Sequence, residues 1–155
     1  MSQWGESEVG SPPYAIAEAP SGDVILLDGT GTFDRATKAA AGVGTFIHHA
    51  PDGSLVARGT FAADRLVSFQ FYGCGGEGVP DFLCGGLAWL EVTLTPEGTS
   101  LALPATLWVD CLIGDKIPSD GAPPRAKGIR LDVKGLLNFN KTHEHSGFTV
   151  FIPEG

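Results

Sequence analysis

From Asp23 onward the sequence keeps returning to one pattern: short runs with apolar side chains at every second residue, each cut off by glycine, proline or aspartate. A period of two belongs to an extended strand, whose successive side chains leave opposite faces; a helix needs a period of three to four. In chain order the runs are Asp23 to Phe33, Gly42 to His49, Leu55 to Phe61, Leu66 to Tyr72, Leu87 to Thr95, Leu101 to Ile113, Ile129 to Val133 and Phe148 to Ile152. Pro51-Asp52-Gly53 turns the second run into the third, Asp64-Arg65 separates the third from the fourth, and Pro96-Glu97-Gly98 turns the fifth into the sixth. Two longer connections, Gly73 to Gly86 and Gly114 to Lys127, have no period. They read as surface excursions, with binding loops or lids as the alternative.

Eight such runs predict an all-β chain. A single antiparallel barrel of about eight strands over 23–155 is the expected architecture, because closure removes sticky edges, and a β-sandwich is the alternative. Composition agrees. The 22 glycines suit tight turns, while 10 Lys plus Arg in 155 residues leave little for long helices. Residues 1–22, rich in Ser, Pro, Gly and Glu, read as an extended arm lying on the body, with Trp4 and Tyr14 as anchors.

A net charge of −8 without a basic patch argues against nucleic acid, whose binding rests on Lys and Arg. No apolar run approaches the length of a membrane span, and Met1 to Gly22 has neither the basic nor the apolar segment of a secretion signal. As written the chain reads as cytoplasmic, or as secreted had a signal been trimmed. Three buried, reduced thiols are therefore the plainer expectation for Cys74, Cys84 and Cys111. The matched steps Cys74-Gly75-Gly76 and Cys84-Gly85-Gly86 leave a disulfide open as the alternative, worth about 3 kcal/mol and leaving Cys111 over.

The segment Asp28-Gly29-Thr30-Gly31-Thr32-Phe33, followed by Gly42-Val43-Gly44-Thr45-Phe46 and Gly59-Thr60-Phe61, resembles the Gly-Thr-Gly-x-Phe pattern of allene oxide cyclase and dirigent-like barrels. Glycine there lets neighbouring strands pass closely while the phenylalanine packs inward. The resemblance covers Asp23 to Tyr72. It implies an eight-stranded barrel with a hydrophobic cavity, a scaffold that in relatives steers cyclisation or radical coupling of small apolar molecules, and it transfers no catalytic residue.

Candidate chemistry is sparse. His143-Glu144-His145, if extended, places two imidazoles about 7 Å apart on one face, a spacing that a metal could share, although a solvated turn is the plainer expectation. Of His48 and His49 at most one could join them. Asp110 lies mid-run beside Trp108 and is the first acid–base candidate, against the plainer role of an outward carboxylate paired with arginine. Tyr72 is the second catalytic candidate, placed at a cavity mouth. For a small apolar ligand in the interior the lining set is Phe46, Phe69, Trp89, Trp108 and Phe151. No Gly-x-Ser-x-Gly elbow, phosphate-binding loop, Cys-x-x-Cys or His-Glu-x-x-His occurs, and no cofactor is called for.

Three functions fit. The first is a barrel that holds a small apolar molecule inside, with cofactor-free isomerisation or cyclisation as its chemistry. The second is a structural protein that forms homo-oligomers through its arm and exposed aromatics. The third is a metal enzyme at His143 and His145.

Overall fold

The protein is described by a computed structural model covering residues 2–7, 14–76, 78–117, 128–142 and 148–153. Among these residues there is no helix; eleven strands form one antiparallel sheet. They are β1 (Ser2–Ser7), β2 (Ala15–Glu18), β3 (Val24–Phe33), β4 (Ala40–His49), β5 (Leu55–Gly76), β6 (Val79–Pro96), β7 (Leu103–Cys111), β8 (Gly128–Val133), β9 (Leu137–Phe139), β10 (Lys141–Thr142) and β11 (Phe148–Pro153).

The sheet curls into a barrel. Each strand from β3 to β8 pairs with the next, β10 pairs with β2, and β2 returns to β3. Only Asn140 separates β9 from β10, so with those two counted as one strand the circuit has eight members. At this seam the Thr142 hydroxyl donates to the Ile129 carbonyl at 2.7 Å and ties β10 to β8. At the other end of β3, β1 lies between β3 and β11, and β11 meets β6 at the pair Phe151 and Cys84.

Two expectations change. The runs Leu55 to Phe61 and Leu66 to Tyr72 are not separate strands; both lie on β5, which is 22 residues long. Asp64 does not turn the chain. It is the extra residue of a register shift, since Ala63 faces Val92 and Arg65 faces Glu91, and its carboxylate accepts from the Thr93 hydroxyl at 2.7 Å. A bulge bends a strand without ending it, which is why a turn signal sits inside one. Further shifts fall between Leu66 and Ser68, Phe71 and Gly73, and Cys74 and Gly76. They break the alternation expected along this stretch, so Leu66 and Tyr72 are buried while Phe71 is exposed.

The expected arm also differs. Residues 2–7 and 15–18 are strands of the sheet, and Ala15 and Ala17 belong to the core. The excursion expected over Gly73 to Gly86 is the tip of the β5–β6 hairpin. Cys74 and Cys84 stand opposite each other and are disulfide-bonded, in place of the expected reduced thiols, while Cys111 is buried on β7 outside that bond.

Elsewhere the period of two sets the core. Ile25 and Leu27 on β3, Ala88 to Leu94 at alternate positions on β6, and Leu107, Val109 and Cys111 on β7 all point inward. The glycines of the Gly-Thr steps explain how the ring side chains fit. A Cβ on Gly29 would lie 2.8 Å from the ring of Phe61, and one on Gly44 would lie 2.5 Å from it. Phe61 therefore rests on two bare backbone positions, and Phe33, Phe46 and Phe61 are all buried. Five interior side chains, Phe33, Leu66, Ala88, Leu90 and Leu131, are each 0 % exposed. A void wide enough for one water would leave accessible surface on its walls.

Candidate functional site

The interior candidates divide by face. Phe46 and Phe151 are buried members of the core, and Phe69 packs against them half-buried, its ring centroid 5.0 Å from Phe33 and 5.1 Å from Phe151. They build the barrel's filling. Trp89 and Trp108 lie on the opposite face of their strands, on the outer wall.

That wall is set by register. Across β6, β7 and β8, Trp89 stands opposite Trp108 and Trp108 opposite Arg130. The two indole rings are 5.8 Å apart at 36°, and the Arg130 guanidinium lies 5.7 Å from the Trp108 ring centre. Arg130 covers Trp108, Trp108 braces Trp89, and Trp89 stays 40 % exposed. A tryptophan in a cross-strand pair usually covers itself more fully, since its ring is the largest apolar payload available.

Polar rows flank the rings. On one side Glu91, Thr106 and Asp132 stand in register. Lys134 donates to Glu91 at 2.7 Å, and the Thr106 hydroxyl donates to its other oxygen at 3.4 Å. On the other side Asp110 stands between Leu87 and Gly128, on the outward row yet only 4 % exposed. Asp110 is thus buried on this wall, not exposed to solvent. The wall offers a braced aromatic face bordered by carboxylates, a hydroxyl, an ammonium and a guanidinium.

Tyr72 is fully buried on β5, with β6 between it and β7, the strand of Asp110. Its carbonyl accepts the Lys116 amide at 2.8 Å, beneath the segment that follows β7. The register does not bring the two catalytic candidates side by side. His143 and His145 lie outside the described residues. Among the described residues no group of three His, Cys, Asp or Glu is placed to hold a metal ion.

Sequence reasoning missed one polar cluster. His48 Nε2 meets Asp23 Oδ2 at 2.7 Å, the Ser21 hydroxyl donates to the other oxygen at 2.6 Å, and the His48 ring stands edge-on to Phe139 at 5.3 Å. Ser21 and then His48 hold the Asp23 carboxyl below its ordinary value of 3.8. The three residues tie the β2–β3 turn to the end of β4. Nothing in their spacing signalled this, because the contact follows from the β3–β4 register.

A second relief lies on the outer face of β4, β5 and β6. Thr45, Thr60 and Thr95 stand in one row, between depressions of about 390 and 460 Å³. Phe46, Ile47, Arg58 and Glu97 join the threonines in the first hollow, and Val43 and Phe61 join them in the second. Among the described residues no helix is long and apolar enough to cross a membrane. Comparison with protein-family models, with curated proteins and with solved structures gives no match.

Proposed function

We propose that this protein is a binding module whose recognition surface is the outer wall of β6, β7 and β8, centred on Trp89. The observation that carries this is the exposed Trp89 ring, braced by its cross-strand neighbour Trp108, which Arg130 covers in turn. A ring held this way loses little freedom on binding, which lowers the entropic cost of association.

The ligand that suits it has one apolar face and a polar edge. A pyranose sugar has this form: its C–H bonds gather on a ring face, and its hydroxyls project around the rim. The electron-rich indole face attracts the polarised C–H bonds, and Glu91, Lys134, Thr106 and Arg130 surround the rings with donors and acceptors. Neutral oligosaccharides are therefore the first class to test. The assay is calorimetric titration of the chain with a panel of soluble oligosaccharides, beside Trp89→Ala. Binding that falls about tenfold or more in the variant is expected from the loss of one stacked ring. Equal affinity of the two proteins would remove the wall from the account.

Self-association is the second reading, favoured by a different face. The rows Thr45–Thr60–Thr95 and Val43–Ala62–Thr93 carry no charge on a chain of net charge −8, and Val43 is 70 % exposed. Two copies could meet over Val43, Thr45 and Thr60, with the Asp64 carboxylate, held by the Thr93 hydroxyl, at the border of the contact.

A further inference from the structure

The two cysteines of the β5–β6 hairpin differ in exposure. Cys74 is exposed, Cys84 is only 2 % exposed, and the two residues face each other across the ladder. A thiolate attacks a disulfide at the sulfur it can reach. Here Cys74 is the cysteine that solvent reaches.

The tip around the bond is held independently of it. Gly73 pairs with Gly85 on one side and Gly76 with Val79 on the other. The segment after β7 presses on the same place: the Lys116 amide donates to Tyr72 at 2.8 Å, and a Cβ on Gly85 would overlap the Ile113 carbonyl. Opening the disulfide therefore leaves the two cysteines opposite each other and ready to close again. Cys111, the third thiol, is 0 % exposed on β7.

We propose that Cys74–Cys84 is a thiol-exchange site, with Cys74 the sulfur that accepts a small thiol and Cys84 the resolving partner. The thiolate of a low-molecular-weight thiol attacks the Cys74 sulfur, forming a new S–S bond as the Cys74–Cys84 bond breaks. Cys84 leaves with the electron pair as a thiolate and takes up a proton. In the reverse step the Cys84 thiolate attacks Cys74 and expels the small thiol. No external oxidant enters either step, and the small thiol is the only co-reactant.

The test treats the folded protein with reduced glutathione, quenches by acid and maps the adducts by mass spectrometry, with near-ultraviolet circular dichroism recording the fold. The adduct is expected on Cys74 alone, with Cys84 released and Cys111 unmodified. In Cys84→Ser, incubated with glutathione disulfide, the Cys74 adduct should persist at roughly tenfold higher occupancy, because the resolving thiol held nearby at millimolar effective concentration is gone. Cys74→Ser under the same treatment should leave Cys84 unmodified while native circular dichroism persists. An adduct on Cys84, equal adduct levels in Cys84→Ser and the unsubstituted chain, or exchange only after the native signal is lost would overturn the proposal.

Discussion

Gly44 shows how much one missing side chain matters. A Cβ there would lie 2.3 Å from the Asp28 carbonyl oxygen and 2.5 Å from the Phe61 ring, both across strand pairings that cannot easily give. Gly53 is the contrast: its φ is +87°, and a Cβ would meet nothing within 4 Å. Gly44→Ala should cost about 2–3 kcal/mol through overpacking, whereas Gly53→Ala should cost about 1 kcal/mol through backbone conformation alone. Urea unfolding of the two variants checks the order, and a smaller loss at Gly44 would mean that Phe61 does not rest there. The Gly-Thr-x-Phe steps made these contacts legible, because a glycine beside an inward phenylalanine has a steric meaning in one strand. The Trp89–Trp108 pair was only half legible. Alternation put both rings opposite the core, but their contact needed the β6–β7 register, which no single run contains. The Asp23–His48 contact was hidden for the same reason.

Among the elements, the long strands were readable and the short ones were not. β3, β4, β6, β7 and β8 each show several alternations, while β2, β9 and β10 have two to four residues and no room for a period. The bulge at Asp64 looked like a turn because both features use the same residue types. Two turns carry a pH dependence. Asp34 accepts the Ala36 and Thr37 amides at 2.8 and 3.2 Å at the end of β3, and Asp52 accepts the Ser54 hydroxyl and amide at 2.6 and 2.9 Å between β4 and β5. Each hydrogen-bond set favours the charged carboxylate and lowers its pKa from the ordinary 3.8, as Ser21 and His48 do for Asp23. A folded pKa below the unfolded one contributes stability above the unfolded value, lost as pH falls through the folded value. The urea midpoint should therefore decline as pH drops below about 3.8, and Asp34→Asn should lower it at neutral pH while converging with the parent in stronger acid. A constant gap between the two at every pH would show that the Asp34 charge plays no part. At the hairpin tip, replacing both Cys74 and Cys84 by serine should cost about 2–3 kcal/mol, a loss readable in the same unfolding curves.

For the whole molecule, the barrel was legible and its use was not. Strand count, turn chemistry and the need to hide edges led to an all-β barrel wall, and the structure has one that is nearly closed. Whether such a wall is hollow depends on how side chains from eight strands meet at the axis, a sum that alternation along one strand cannot supply. Here Phe33, Leu66, Ala88, Leu90 and Leu131 are sealed from solvent inside the wall, and two aromatic rings face outward. Light scattering over a range of concentrations separates the two proposed uses of the surface: a module that binds through Trp89 alone stays monomeric, whereas pairing through the Thr45–Thr60–Thr95 face gives a mass that rises with concentration. The most direct test of outer-wall recognition is a nuclear magnetic resonance titration with the tightest-binding oligosaccharide, following the indole N–H signals and the core methyl groups together. Recognition on the wall predicts shifts at Trp89 and Trp108, with Leu66, Leu90 and Leu131 unchanged. Shifts in those three leucines with both indoles fixed would put the ligand inside the barrel and contradict it.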